Sequence, residues 1–270
     1  MPRQFDHFVI ISADLKTAMD NAQRAGFTVV PGGTHGDGRT HNALIAFADG
    51  AYIELITPTS ATPEGEHRWF PRLFAAGGLV DFCLLGDQLE DEIAAIRDQG
   101  VEYPQPFSMG RNRPDGKRID WLLSVPPGPV GQTGWPFLIE DVTPRELRVP
   151  RAPDEVRHPN GVLGAAGVTI LVHDLDASVR DYTAILGTAG HELTAPFSDD
   201  RLGVVFPVGR ERDQWIMLVE PKAHEAAEHL NRHGQGPYRL TLRTHDGAIG
   251  PGEGDFVDPA LFNGARILLA

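Results

Sequence analysis

The chain has 270 residues, which is enough to bury a substantial core in one large domain or two modest ones without help from metals or disulfides. Hydrophobic residues make up 41% and charged residues 23%, a balance that excludes a disordered, collagen-like or coiled-coil chain. Acidic residues number 37 against 24 basic ones, so the net charge is -13. Because such a surface repels the phosphates of nucleic acids and anionic lipids, we expect neither nucleic acid nor a membrane as a partner.

Cysteine usage and the N-terminus indicate the cellular compartment. Cys83 is the sole cysteine, so an intrachain disulfide framework is excluded. The sequence carries no signal-peptide pattern and no apolar run of the roughly 18 residues that a membrane span requires. We therefore expect a cytoplasmic protein, in which Cys83, between apolar neighbours, is a small buried hydrophobe.

The chain opens with the element order β-α-β-β-β. Alternation from Phe5 to Ile11 predicts a strand that is covered on both faces. Asp14 predicts the N-cap of a helix, and Gly26 predicts its end. Further strands are expected near 27–30, 42–47 and 51–57.

The same order of elements returns along the chain. A second copy is predicted with a strand at 79–85, a helix at 88–99 and strands near 101–103, 117–125 and 136–142. A third copy is predicted with a strand at 168–172, a helix at 175–186 and a last strand at 214–220. A partial fourth copy is predicted with strands near 238–244 and 265–269.

This repetition predicts the fold class and the domain organisation. We expect an α+β fold of tandem β-α-β-β-β modules, whose curled mixed sheets enclose a cavity. Residues 1–145 would form the paired modules that carry the site, and the Pro- and Arg-rich stretch 146–160 would be a linker. Residues 161–270 would form a degenerate third module and a partial fourth, since Gly167 and Met217 replace the polar residues found in the first copy.

Polar residues occupy equivalent positions inside the predicted strands of the first two modules. The first strands align His7 with Asp81, and the last strands align Glu54 with Glu140. A charged residue in an apolar strand costs several kcal/mol unless it is paired or bound to a cation. One imidazole and three carboxylates suit Mn²⁺, Fe²⁺, Ni²⁺, Zn²⁺ or Mg²⁺. Taken singly, His7 would more often be a core histidine, and each glutamate an edge-strand carboxylate.

Several short motifs follow one another in a characteristic order. They are Asp6-His7-Phe8-Val9-Ile10, the stretch 36–42, Tyr52-Ile53-Glu54-Leu55, the stretch 111–116, Trp121, the stretch 136–140 and His158-Pro159-Asn160-Gly161. In this order and spacing the sequence resembles the vicinal oxygen chelate superfamily and, within it, the glyoxalase-like domain family, which groups glyoxalases, bleomycin resistance proteins and dioxygenases. The resemblance covers residues 5–165 and, more weakly, the remainder.

The resemblance implies a divalent metal ion held by the first and last strands of two adjacent modules, with open positions for two neighbouring substrate oxygens. By position, the metal ligands are His7, Glu54, Asp81 and Glu140. Asp81 stands where many relatives have a histidine, which argues against an extradiol-type dioxygenase because its iron site needs a second histidine. His41 could replace that histidine only if its loop folded inward.

The function implied is a metal-assisted proton transfer of the isomerase, epimerase or lyase type on a small oxygenated metabolite. A Lewis-acidic ion would polarise a substrate oxygen while a carboxylate accepts and returns the proton. Glu140 is the first candidate for this catalytic base and Glu54 the second. The alternative is a small-molecule binding protein of the bleomycin-resistance type, which would not need three carboxylates and a histidine at one point.

Other side chains are candidates for substrate binding. Arg111 and Arg113 could clamp a substrate carboxylate, or they could lie at a solvated loop tip. His41 and Asn42 could hydrogen-bond the ligand, or His41 could be exposed while Asn42 caps a turn. Trp121 could line the pocket or belong to the core. A homodimer is compatible with the sequence, because paired modules can assemble within one chain or between two.

Overall fold

The structure is a computed structural model that describes residues 3–60, 67–73, 78–113, 116–194, 201–211, 213–222, 224–245, 249–251 and 254–270. The helices are α1 (Leu15–Arg24), α2 (Phe70–Leu73), α3 (Leu89–Asp98), α4 (Leu175–Leu186) and α5 (His224–His233). The strands of the first half are β1 (Gln4–Ile11), β2 (Val30–Thr34), β3 (Thr40–Ala46), β4 (Tyr52–Pro58), β5 (Gly78–Leu85), β6 (Phe107–Asn112), β7 (Arg118–Ser124) and β8 (Phe137–Asp141). Those of the second half are β9 (Gly164–Leu171), β10 (His191–Thr194), β11 (Arg201–Val208), β12 (Gln214–Val219), β13 (Gly236–Arg243), β14 (Asp255–Phe256) and β15 (Arg266–Leu269).

The strands form two mixed sheets, one in each half of the chain. The first sheet has the order β2-β3-β4-β1-β5-β8-β7-β6, and the second has the order β10-β11-β12-β9-β13-β15-β14. In each sheet one central antiparallel pair, β1 with β5 or β9 with β13, joins two modules. One of the two sheets curls strongly into a half-barrel. The prediction of an α+β fold with tandem curled mixed sheets is therefore confirmed. Among the helices of the described ranges, none is long and apolar enough to cross a membrane.

The helix boundaries agree with the local sequence signals. The Asp14 side chain accepts a hydrogen bond from the Thr17 backbone N–H at 2.7 Å and so caps α1. Asp174 caps α4 through the Ala177 N–H at 2.8 Å. Gly187 ends α4 with a φ of +63°, a left-handed conformation that glycine adopts without a steric penalty.

The strand predicted near 101–103 is not formed. The Val101 N–H bonds to the Ile96 carbonyl, so this segment stays packed at the end of α3. Pro104 and Pro106 follow, and each lacks the N–H that a strand pairing would use. The next strand, β6, therefore begins only after these prolines.

The strand predicted near 27–30 begins later, at Val30. The Phe27 N–H bonds to the Ala22 carbonyl of α1, and the Thr28 N–H bonds to His158 Nδ1 at 3.1 Å. The backbone of this segment is thus already engaged, and it cannot pair with β3. Strands β10 and β11 were not predicted.

The two faces of the first sheet are chemically different. Along β1, Phe8 and Ile10 belong to the main core, which continues into α1, α3 and the second sheet. His7 lies on the opposite, concave face, where Val9 and Ile11 join a second cluster with residues of β5, β7 and β8. Because side chains alternate along a strand, one strand supplies both the core and the concave face.

The second sheet repeats this geometry with different chemistry. Gly167 pairs with Trp215 as His7 pairs with Tyr52. A Cβ atom at Gly167 would lie 2.2 Å from the Trp215 ring, so only glycine leaves room for this indole. The position that corresponds to His7 therefore has no side chain in the second sheet.

Candidate active site

The concave face of the first sheet encloses a cavity of about 150 Å³. Its walls come from alternating residues of the strands together with residues that follow β2 and flank α2. They are His7, His35, Asp37, Thr40, Asn42, Leu44, Tyr52, Glu54, His67, Trp69, Met109, Arg111, Trp121, Leu123, Phe137, Ile139 and Arg148. The cavity therefore combines apolar and aromatic walls with a small polar group, as small-molecule sites commonly do.

Glu54 is the centre of this polar group. Its Oε2 atom lies 3.6 Å from His7 Nε2, and its Oε1 atom lies 3.4 Å from His35 Nε2. Asn42 donates a hydrogen bond to Oε1 at 2.5 Å. Glu54 is 5% exposed, so its charge is compensated by these neighbours and not by bulk water. The predicted pair of His7 and Glu54 is thus brought together, with Asn42 beside it.

Both histidines are oriented by a partner on their second nitrogen. His7 Nδ1 lies 2.6 Å from Asp6 Oδ1, and the His7 ring stacks on Tyr52 with 4.7 Å between ring centres. His35 Nδ1 lies 2.6 Å from the Thr40 hydroxyl. These contacts direct Nε2 of each histidine toward Glu54, in the arrangement by which proteins fix metal-binding or proton-exchanging histidines.

Asp6 is held in turn by two arginines from the segment after β8. Arg148 donates to both Asp6 oxygens, at 2.9 and 2.8 Å, and Arg145 donates to Oδ2. Burial alone would raise the pKa of Asp6, but the charges of Arg148 and Arg145 hold it well below 3.8. Asp6 is therefore an ionised anchor for His7.

The charge on Glu54 depends on its histidine neighbours. Burial raises the pKa of Glu54, but the hydrogen bond and charge of His35, with His7 and Asn42, outweigh burial and lower it to about 2. Burial lowers the pKa of His35, yet Glu54 raises it above 6.5 overall. Without a bound cation, the pair therefore favours an ionised carboxylate beside a protonated imidazole.

Arg111 brings a positive charge to the cavity wall. It is 9% exposed, and no residue in the described ranges forms a hydrogen bond or ion pair with its guanidinium. Burial lowers the pKa of Arg111, although Tyr52 and Glu54 counteract this. A buried guanidinium without a fixed carboxylate partner is a ready site for an anionic ligand. Trp121 lines the cavity as predicted, at 7% exposure.

Asp81 does not join the cluster around Glu54. Its Oδ2 atom accepts hydrogen bonds from Arg68 Nε and Trp69 Nε1, each at 2.9 Å, and Oδ1 accepts from the Phe82 N–H. The residue opposite His7 on β5 is Cys83, whereas Asp81 lies opposite Val9, beside a register shift between Leu79 and Asp81. Asp81 thus anchors Trp69, a residue of the cavity wall, and the expectation that it converges with His7 is corrected.

Glu140 also lies apart from the cavity. Its neighbours Phe137 and Ile139 line the cavity, so alternation along β8 turns Glu140 to the other face. There Oε2 accepts the Leu89 N–H at 2.7 Å, at the start of α3. Gln88, the N-cap residue, makes no capping hydrogen bond through its side chain. Glu140 therefore caps a helix, and the geometry does not support convergence of four metal ligands.

Two predicted substrate-binding residues lie outside this cavity. His41 stands between Thr40 and Asn42 on β3, and these two neighbours line the cavity while His41 does not. Arg113 donates to the Leu147 carbonyl and lines an adjoining cleft. Of the predicted substrate-binding residues, Asn42, Arg111 and Trp121 are those that line the cavity.

His35 and His67 are cavity residues that the sequence reasoning missed. The available signal was the stretch 34–41, which carries a histidine at each end of a Gly-rich turn. His35 lies just after β2, and its Thr40 bond closes that turn. His67 lies before α2 and stacks on Phe70, and no periodic pattern pointed to it.

Two groups of residues are candidates for a metal ion. In the described residues, Asp6, His7 and Cys83 have ligand atoms within 4.8 Å of one another. This group does not suit an ion, because two arginines saturate Asp6 and burial raises the pKa of the Cys83 thiol well above 9.0. His7, His35 and Glu54 offer more suitable donors, but their ligand atoms do not all lie within 4.8 Å of one another. Taken singly, each contact of Glu54 is close to the roughly 3.0–3.5 Å between two ligands that stand about 2.1 Å from one ion. The two histidines would therefore have to move together to share one ion.

Solved structures with the same fold cover nearly the whole chain. A hypothetical protein from Staphylococcus aureus matches with 13% identity, 99% coverage of both chains and a TM-score of 0.69. A mutant of 4-hydroxymandelate synthase from Streptomyces coelicolor matches with 13% identity, 91% coverage of this chain, 72% of that chain and a TM-score of 0.63. A xylose isomerase-like TIM barrel/4-hydroxyphenylpyruvate dioxygenase fusion protein matches with 14% identity, 91% coverage of this chain, 38% of that chain and a TM-score of 0.55. At such identities the likeness shows the fold alone.

The tandem modules and the cavity in the curled sheet define a protein with the vicinal oxygen chelate fold, in which a divalent metal ion is often bound. A family model described as a glyoxalase-like domain matches residues 5–186. The chain therefore belongs to the glyoxalase-like domain family. Among curated proteins, none matches the chain significantly.

Proposed function

We propose that this chain is a metal-dependent enzyme that transfers a proton next to an oxygen of a small carboxylate-bearing metabolite, in an isomerase, epimerase or lyase reaction. The observation that carries the proposal is the joint placement of two oriented histidines and Arg111 around Glu54 in one apolar cavity. His7, His35 and Glu54 would hold the ion. When bound, the ion would supply Lewis acidity, which makes the C–H bond beside a substrate carbonyl more acidic.

Arg111 positions the substrate in this proposal. Its guanidinium can bind a carboxylate through two parallel N–H donors, and the described residues provide it with no competing acceptor. A carboxylate with an adjacent carbonyl, as in a 2-oxo acid, offers one group to Arg111 and a neighbouring oxygen to the cluster around Glu54. Aromatic rings line the cavity around this contact.

Glu54 is the group that accepts the proton. Oε1 is anchored by Asn42 and His35, while Oε2 faces His7 at 3.6 Å and accepts no hydrogen bond from described residues. A carboxylate with a pKa of about 2 is always ionised at neutral pH but is a weak base. The reaction therefore requires that the acidity of the substrate carbon be raised, which is why a metal ion belongs to the proposal.

His67 is the proposed hydrogen-bond donor to the substrate oxygen on which negative charge develops. Burial lowers the pKa of His67 below 6.5, so the ring is neutral at pH 7. Its Nδ1 accepts the Trp69 N–H at 3.3 Å, which assigns the ring proton to Nε2. A neutral imidazole N–H can stabilise an enolate oxygen by donating a hydrogen bond.

Hydrogen exchange tests this function without knowledge of the natural product. The protein, loaded with Zn²⁺, Mn²⁺ or Ni²⁺, is incubated with 2-oxobutanoate in D₂O, and loss of the C3 proton signal is followed by NMR. We expect accelerated exchange by the wild type and at least a hundredfold slower exchange by Glu54→Gln, which removes the proton acceptor and alters one of the proposed metal ligands. Glu140→Gln is the matched control. Exchange at the uncatalysed rate with every metal would refute the proposal.

A second candidate is an oxygen-dependent reaction. Two histidines and one carboxylate with open positions are the set that binds Fe²⁺ in many oxygenases, and two of the structural relatives have names that include a synthase or a dioxygenase. Two measurements on the Fe²⁺-loaded protein with 2-oxobutanoate test it: oxygen consumption in air and exchange of the C3 protons under nitrogen. Oxygen consumption without proton exchange would favour this candidate.

A further inference from the structure

A second, larger space adjoins the active-site cavity. It is an open cleft of about 490 Å³ between β2 and the segment that follows β8, and we call it the outer cleft. Leu44, Arg111 and Arg148 line both the outer cleft and the cavity. Ligand sites commonly measure 300–1,000 Å³. The cavity alone falls below this range, whereas the outer cleft lies within it.

The walls of the outer cleft combine a strip of apolar side chains with charged ones. Val30 and Pro31 contribute from β2, and Leu147, Val149 and Ala152 contribute from the opposite segment. Charged groups of both signs are also present: the exposed Glu146 and Arg151, the half-buried Glu155, and Arg113, which is tied to a backbone carbonyl. The outer cleft thus offers a hydrocarbon surface that starts at Arg111.

Two glycines, Gly32 and Gly33, let the backbone at β2 lie close to polar side chains of the cavity. A Cβ atom at Gly32 would lie 2.1 Å from Asn42 Oδ1, and a Cβ atom at Gly33 would lie 3.2 Å from Arg111 Nη1. A side chain at Gly32 would displace Asn42 from its bond to Glu54, and one at Gly33 would press on the guanidinium. The absence of side chains keeps β2 close to both polar groups, and Arg111 stands where the two spaces meet.

From this geometry we infer that the substrate is a 2-oxo or 2-hydroxy acid with an unbranched apolar side chain, and that this chain lies in the outer cleft. The inference rests on the proposed function. Arg111 holds the carboxylate at the junction, the oxygen on the neighbouring carbon faces Glu54, and the hydrocarbon chain runs past Leu44 between Val30 and Leu147.

A series of 2-oxo acids of increasing length tests the inference. Dissociation constants of pyruvate, 2-oxobutanoate, 2-oxohexanoate and 2-oxooctanoate are measured by calorimetry on the Zn²⁺-loaded protein. Each methylene that enters the outer cleft should tighten binding about fourfold, the value that corresponds to burial of one CH₂ group. Ala152→Trp, which places a large side chain in the outer cleft, should bring the ratio of 2-oxooctanoate affinity to pyruvate affinity close to one. Ala95→Trp, on the exposed side of α3, is the control and should keep the wild-type ratio.

The outcomes separate this inference from the proposed function. If pyruvate binds and Arg111→Met abolishes that binding, but affinity does not rise with chain length, the proposed function stands and the outer cleft is not a substrate site. A chain-length gain that persists in Ala152→Trp would also overturn the inference, because the chain would then lie elsewhere. If no acid of the series binds, carboxylate recognition by Arg111 fails, and this inference fails with it.

Discussion

His35 Nε2 lies 3.4 Å from Glu54 Oε1, and this contact joins a Gly-rich turn after β2 to the middle of β4. The same carboxylate meets His7 through its other oxygen. The two carboxylate oxygens of Glu54 thus contact two imidazoles from different parts of the chain. Its protonation and that of His35 are therefore linked, and the linkage is open to direct measurement.

The pKa of His35 should depend on the charge of Glu54. Burial alone lowers this pKa, and the carboxylate raises it above 6.5, so Glu54→Gln should move it downward to below 6.5. NMR titration of the imidazole resonances in metal-free protein measures the shift. Glu140→Gln, which removes a carboxylate outside the cavity, should leave the His35 titration unchanged. An unaltered pKa in Glu54→Gln would contradict the pairing.

The Thr40 hydroxyl should contribute to metal affinity without touching the ion. Thr40→Val keeps the shape of the side chain but removes the 2.6 Å contact that orients the His35 ring. Loss of such an orienting partner typically weakens metal binding by about 10–100-fold. Competition with a fluorescent Zn²⁺ chelator measures the affinity. Thr28→Val, which removes a comparable hydroxyl bond to Arg157, should retain wild-type affinity, and equal affinities in both variants would refute the orienting role.

The fold was largely predictable because strand alternation and helix caps are local signals. Strand β1 follows from the alternation between Phe5 and Ile11, and Asp14 and Gly187 mark helix ends by their own conformational preferences. The strands expected near 27–30 and 101–103 differ from the structure because of a tertiary contact in the first segment and two prolines after the second. His158, distant in sequence, engages the backbone of the first segment, and two prolines delay the strand after the second.

The candidate site was predictable only in part. His7 and Glu54 lie on the concave face as their strand positions indicate. Glu140 was misplaced because aligning two modules by sequence does not determine which face its side chain occupies. Its neighbours Phe137 and Ile139 line the cavity instead. His35 lies outside the strands, and its position depends on a turn that sequence periodicity does not describe.

Glu140 should matter for stability and not for metal binding. Glu140→Ala removes the acceptor of the Leu89 N–H at the start of α3 and a negative charge near the positive end of the helix dipole. We expect the free energy of unfolding to fall by about 1 kcal/mol, as measured by urea denaturation. Zn²⁺ affinity should equal that of the wild type. A loss of metal binding as large as that of Glu54→Ala would restore Glu140 to the site.

Among the carboxylates discussed, neutralising Asp6 should lower the free energy of unfolding the most. Asp6→Asn leaves Arg145 and Arg148 without their shared buried anion, and breaking a buried ion pair typically costs about 3–5 kcal/mol. The folded-state pKa of Asp6 is depressed, so its stabilisation is present above about pH 4 and is lost as the pH falls through the folded pKa. Urea denaturation should therefore show a large difference between wild type and variant at pH 7 that shrinks toward pH 2. Asp20→Asn, at an exposed ion pair with Lys16, should change stability little at either pH, and a constant Asp6→Asn difference across this range would contradict the depressed pKa.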